Sequence, residues 1–171
     1  MTIKLKFCYR LVKKLLQQQF EEMYGRGQLP FVNHYAIVMN GIASIGAREQ
    51  IEKLYHQLMK RKIKPTPAIF AALINSNVFH DDEEKATYWF EEYQKNVQDE
   101  QNNASLAYLY SLLFKLKFKS TNVNGALSLF TSALDIQDRT GSQLIDSDLV
   151  AQLIKYLNDN YALRDIEHIF K

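Results

Sequence analysis

The sequence predicts an all-α protein built as a solenoid of helix–turn–helix repeats, and three observations predict it. A small or aliphatic residue is followed four positions later by an aromatic at Leu16/Phe20, Ile51/Tyr55, Ala86/Phe90, Ala126/Phe130 and Ile166/Phe170. These aromatics step by 35, 35, 40 and 40 residues, and the i, i+4 spacing puts each pair on one helix face, where the aromatic can pack on the preceding helix. Upstream of each full segment runs a second apolar stretch that opens with a bulky residue and then a small one, at Tyr35-Ala36, Phe70-Ala71, Tyr110-Ser111 and Val150-Ala151. Finally, six Gly and three Pro in 171 residues leave too few turns for a sandwich or barrel, which needs them about every 8–12 positions.

Taken in order, the units are a partial repeat over 1–31, repeats over 32–66, 67–106 with an extended loop and 107–146, and a partial repeat over 147–171, all within one array spanning 1–171. Asn40-Gly41 and Gly46-Ala47 punctuate the first full unit. Asp81-Asp82, residues 122–124 and residues 158–160 stand where the second helices of the following units need an N-cap. Units close at Pro30 and Pro65, since proline cannot continue a helix. The two five-residue additions fall in the polar stretches 98–105 and 138–146 and are expected to lie between units, leaving the helices intact. A helix pair cannot bury both apolar faces alone, so neighbouring pairs are expected to stack around a continuous core. The unit boundaries leave the array open at both ends, as expected of a piece of a longer repeat protein or of one that docks its ends on something larger.

Charge is segregated. Residues 1–66 hold twelve cations and four carboxylates, residues 67–106 hold two and eight, and the remainder balances at seven of each. A basic first third points to an anionic partner, and an acidic middle faces solvent or a basic neighbour. No apolar run approaches the ~18 residues of a membrane span. The single Cys8 excludes an internal disulfide or a multi-cysteine zinc site and reads as structural. The four histidines follow no metal-ligand spacing, residues 81–84 read as an N-cap and first-turn acid run, and Trp89 beside Phe90 reads as inter-helix core. Without a phosphate-binding glycine loop either, the expectation is a non-enzymatic protein with no metal, no cofactor and no small-molecule substrate.

The stretch 32–66, with Tyr35, Gly41, Gly46, Tyr55 and a closing Ile63-Lys64-Pro65, resembles the pentatricopeptide repeat family, helical-hairpin proteins that mostly bind organellar RNA. Phe20, Glu21, Glu22, Met23, Gly27 and Pro30 resemble the end of a preceding unit, and later units match at Phe70, Ala86, Phe90, Ala126 and Phe130. The tetratricopeptide family shares the aromatic spacing, but its 34-residue unit and Trp-Leu-Gly signature are missing. The resemblance implies a right-handed superhelical solenoid acting on mitochondrial mRNA or rRNA, in expression, processing or stability. It places base choice at Ala36 with Thr66, Ala71 with Gln101, Ser111 with Gly141, and Ala151, and base stacking at Asn33, Ala68, Tyr108 and Asp148. Alanine offers neither donor nor acceptor to a base edge, so three of these four units are expected to hold single-stranded RNA without reading it.

Phosphates and stacking remain. Tyr108, Ser111, Lys115 and Lys119 share a helix face and form the expected contact strip, with Lys155 on the next first helix; Lys60, Arg61, Lys62 and Lys64 form a second basic cluster at a helix end. Lys4, Lys6, Arg10, Lys13 and Lys14, interleaved with apolar residues, read either as a targeting helix for the mitochondrial matrix or as part of the array. The alternative function is a protein-interaction scaffold within a mitochondrial ribosome or RNA-processing complex, its partners being proteins of that ribonucleoprotein.

Overall fold

The computed structural model describes residues 25–96 and 103–160, together with positions 14, 18–20, 22 and 23. Expectations resting on Cys8, the basic N-terminal segment, Leu16, Gln101, Ile166, His168 and Phe170 lie outside the described residues. Among those described no strand occurs, positions 14, 18–20, 22, 23 and 25 are helical, and the helices that follow are α1 (Val32–Ala43), α2 (Arg48–Lys60), α3 (Pro67–Phe79), α4 (Glu83–Asn96), α5 (Asn103–Lys119), α6 (Val123–Thr140) and α7 (Ser147–Asn160). The chain divides into two compact units, Met1–Gln98 and Asp99–Lys171.

The helices reverse through one recurring device. A residue with positive φ sits at Gly46, Asp81 and Thr121, steps of 35 and 40, and the N–H that follows it reaches back five residues. Ala47 donates to Ile42 O, Asp82 to Asn77 O and Asn122 to Lys117 O, at 3.2, 3.0 and 3.1 Å. These are Schellman closures, which occupy carbonyls that the helix end would leave without partners. The turn after α2 repeats it with Lys62 in the left-handed region and Ile63 donating to Leu58 O, as does Gly27 with Gln28 donating to Met23 O. Gly141 closes α6 with the simpler bond from its own N–H to Gln137 O.

Within the first unit α1 packs on α2 and on α3, and α3 packs on α2 and α4, so first helix lies against first helix. The sequence of α3 reflects its place: residues 69–74 are all buried, an apolar surface all round that only a helix covered on several sides can carry. The outer helices show one stripe each, Ile51, Tyr55 and Leu58 on α2 and Ala86, Trp89, Phe90 and Tyr93 on α4. Tyr55 joins successive hairpins, its ring 6.1 Å from Phe70 and 5.0 Å from Trp89. Thus Tyr55 packs forward onto the following pair, while Phe130 packs on the preceding helix through Phe114, at 6.4 Å. Burial raises the Tyr55 phenol above its ordinary value, with Glu92 and Tyr88 adding to the effect. Trp89 is core, as its apolar neighbours suggest.

In the second unit Val123, Ala126, Leu153, Tyr156 and Leu157 form a core flanked by Phe118, Leu127 and Phe130. Phe118 on α5 meets Tyr156 on α7 at 4.8 Å, again first helix to first helix. The polar loop 141–146 that precedes α7 is tied by Gln137 Oε1, which accepts from Leu144 and Ile145 N–H, and by Asp146 Oδ1, which caps α7 through Leu149 N–H at 2.7 Å.

Four sequence expectations are corrected. Asn40-Gly41 does not end a helix, because α1 runs through to Ala43 and the reversal waits for Gly46. The additions near 98–105 and 138–146 are not confined to loops: α5 begins at Asn103 and has 17 residues, and α6 runs to Thr140 and has 18, against 12 to 14 in α1–α4. The repeat expected to open at 107 therefore opens its first helix four residues earlier. Residues 158–160, read as a cap, continue α7 to Asn160.

The closures give a direct test. A Cβ on Gly46, at φ +71°, would stand 2.3 Å from the Phe79 ring, and Thr121 holds a β-branched side chain at φ +53°. Gly46→Ala is expected to lose about 1–3 kcal/mol of unfolding free energy, whereas Thr121→Gly gains roughly 0.5–1 kcal/mol, both read by chemical denaturation.

Candidate nucleic-acid interface

The exposed face of α5 carries Ala104, Tyr108, Lys115 and Lys119, with Leu109, Tyr110, Leu112, Leu113, Phe114 and Leu116 taking the inner side. Tyr108 is 47% exposed, and the structure brings it together with Lys115 and Lys119 on one helix face, spanning about 11 residues or ~16 Å at 1.5 Å per residue. Ser111 stands beside them half-buried, but its hydroxyl donates to Tyr108 O at 2.7 Å, which turns it back on the helix. In the same unit Lys155 is exposed on α7.

One register is open throughout. Asn33, Ala68, Tyr108 and Asp148, at steps of 35, 40 and 40, are all exposed on their first helices. A second exposed register holds Asn40, Lys115 and Lys155, with Asn75 half-buried at the same place in α3. Asn40 is not idle there, since its amide donates to Ala36 O at 2.8 Å and to Ala68 O at 3.1 Å, linking α1 to α3. The positions named for base choice behave differently: Ala36 and Ala71 are buried, Ser111 is half-buried and Ala151 is exposed. Ala36 therefore presents little surface and no side-chain donor or acceptor to a base edge, and Thr66, half-buried at the N-cap of α3, stands before Pro67 in a helix start.

The basic cluster of the first unit also separates into parts. Lys60, Lys62 and Lys64 are exposed, but Arg61 is half-buried, with Nη1 donating to Pro30 O at 2.9 Å and Tyr35 Oη at 3.2 Å. Its guanidinium lies 5.9 Å from the Tyr35 ring centre. Arg61 is thus a strut between two consecutive turns. The planar fork suits that task in a way lysine would not.

Several residues read as having no chemistry turn out to hold the frame, which spacing alone did not reveal. His34 accepts at Nδ1 from the Phe31 N–H that opens α1, and His80 Nε2 donates to Gly46 O at 2.6 Å across the repeat. Asp82 caps α4 through Lys85 N–H and pairs with Arg48 of α2 at 2.6 Å, while Lys85 pairs with Glu52 at 3.2 Å. The acidic run thus finds part of its basic neighbour one repeat earlier. Lys95 is raised from its ordinary value by its hydrogen bond to Glu92. Among the described residues no group of three His, Cys, Asp or Glu side chains is placed to hold a metal ion, and no helix is long and apolar enough to cross a membrane.

No protein-family model matches this chain, and no curated protein sequence matches it.

Arg61 as a strut makes a prediction that separates it from its neighbours. Arg61→Ala is expected to lower stability by about 1–3 kcal/mol, the range for removing hydrogen bonds that involve a charged donor. Lys64→Ala, an exposed change, stays within about 0.5 kcal/mol. Thermal and chemical denaturation of the two variants checks this.

Proposed function

We propose that this protein is a non-catalytic RNA-binding adaptor of the pentatricopeptide type, a right-handed superhelical solenoid that holds single-stranded mRNA or rRNA in the mitochondrial matrix. The observation that carries the reading is the α5 face, where an exposed tyrosine at the open register is followed on the same face by Lys115 and Lys119. A base stacks on Tyr108 while the lysines neutralise phosphates further along the strand, a combination that needs no particular sequence. The buried alanines at 36 and 71 support holding over reading. Within each unit first helix lies on first helix, α1 on α3 and α5 against α7, which supports the solenoid.

A second reading, a protein-interaction scaffold of a mitochondrial ribonucleoprotein, is favoured by Ile37, which is 71% exposed in the middle of α1. An aliphatic side chain offers a protein partner more than it offers a phosphate.

Titration of the purified chain with mixed-sequence single-stranded RNA between about 50 and 200 mM salt tests the first reading, with log affinity expected to fall by roughly 0.7 per phosphate contact. Lys115→Glu combined with Lys119→Glu is expected to reduce that slope by about 1.4 and affinity at least about tenfold at low salt. Unchanged affinity in this variant contradicts the assignment of the strip. Absence of binding at low salt leaves the scaffold.

A further inference from the structure

We propose that the two consecutive inter-hairpin turns of the first unit form a docking surface for an anionic lipid bilayer. The turns around Gly27 and Lys62 are the same closure one repeat apart, and Arg61 fastens the second to the first through Pro30 O. Fastened in this way, they expose two kinds of side chain together. Leu29 is 59% and Phe31 72% exposed, and Arg26, Lys60, Lys62 and Lys64 are exposed around them. The segments 25–31 and 59–66 hold five cations and no carboxylate. Of the described carboxylates that flank these segments along the chain, Glu22 and Glu52 precede them and are engaged with Gln18 and Lys85, and Glu49 and Asp81 follow them.

Neither feature is accounted for by the fold. The helix dipole explains a cation in the last turn of α2, which is Lys60, but Lys62 and Lys64 lie beyond the helix. Phe31 opens α1 through its backbone, and its ring, 6.2 Å from that of His34, stays largely exposed. A leucine and a phenylalanine more than half exposed at one turn, with lysines exposed at the turn fastened to it, match a membrane interface: the apolar groups enter the acyl boundary while the long lysine stems carry their ammonium groups to the lipid phosphates. Single-stranded RNA fits the cations but gains little from Leu29, because bases stack on flat rings. Such attachment is peripheral and asks for no spanning helix.

Co-sedimentation of the full chain with vesicles of phosphatidylcholine, and of phosphatidylcholine mixed with phosphatidylserine, tests the proposal. Binding is expected to the anionic vesicles alone. Leu29→Ser with Phe31→Ser should weaken it roughly tenfold or more, and Lys60→Glu with Lys62→Glu and Lys64→Glu by at least about tenfold. Thermal denaturation confirms that both exposed sets of substitutions leave the fold in place. RNA affinity of the Leu29/Phe31 variant should be unchanged, so failure here and failure of the α5 strip are read in separate assays. The proposal is overturned if the chain ignores anionic vesicles, if the Leu29/Phe31 variant binds them as well as the parent, or if the lysine variant loses RNA affinity while keeping its vesicle binding.

Discussion

Each helix of this protein has to be stopped and turned back before anything else in the fold can exist, and a single left-handed residue does it at Gly46, Asp81 and Thr121. The closure fixes which residue of the second helix comes first, and so which of its faces meets the first helix. From Gly46 onward the consequences are geometrical. Ile51, Tyr55 and Leu58 fall on the inner side of α2, the Tyr55 ring reaches α3 and α4, and Arg48 comes within 2.6 Å of Asp82. Without the reversal at the same place in each pair, contacts spaced by 34 residues, such as Gly46 with His80, would lose their register.

Much of this frame was legible in the sequence because it rests on periodicity. The small-to-aromatic pairs put Ile51 and Tyr55, and Ala86 and Phe90, on buried faces as their spacing requires. Asp82 and Asn122 were readable as caps, since a short polar side chain before an apolar run has few other uses, and both do accept from the helix start. The closures themselves were only half visible. Gly46 announces a left-handed residue, but Lys62, Asp81 and Thr121 are less readable, because the closing hydrogen bonds from Ile63, Asp82 and Asn122 hold them in a conformation that glycine takes more readily. Helix length was misjudged for a related reason. Polarity at Asp138 and Arg139 marks an exposed surface, and an exposed surface can be the outer side of a longer helix as readily as a loop.

The site was legible in its spacing and opaque in its bonds. An exposed face at Tyr108, Lys115 and Lys119 follows from their positions along α5, and the structure places them so. That Arg61 differs from Lys60, Lys62 and Lys64 does not follow from composition: it depends on a carbonyl 31 residues away, at Pro30. The same holds for His34 and His80, whose ring nitrogens serve the backbone of a helix start and of a neighbouring turn. Among the described residues Arg61 braces two turns, whereas the proposed partners, RNA at α5 and a bilayer at the turns, are assigned to cations whose side chains are exposed.

Photo-crosslinking tests the central claim most directly, because it reports where the strand lies and not merely whether it binds. Single-stranded RNA carrying a photoreactive uridine is irradiated with the full chain, and the modified peptides are mapped by mass spectrometry. The account predicts modification within α5, at or beside Tyr108, with further sites on the exposed positions of α7. Crosslinks confined to the outer second helices α2, α4 and α6, with α5 unmodified, would contradict it.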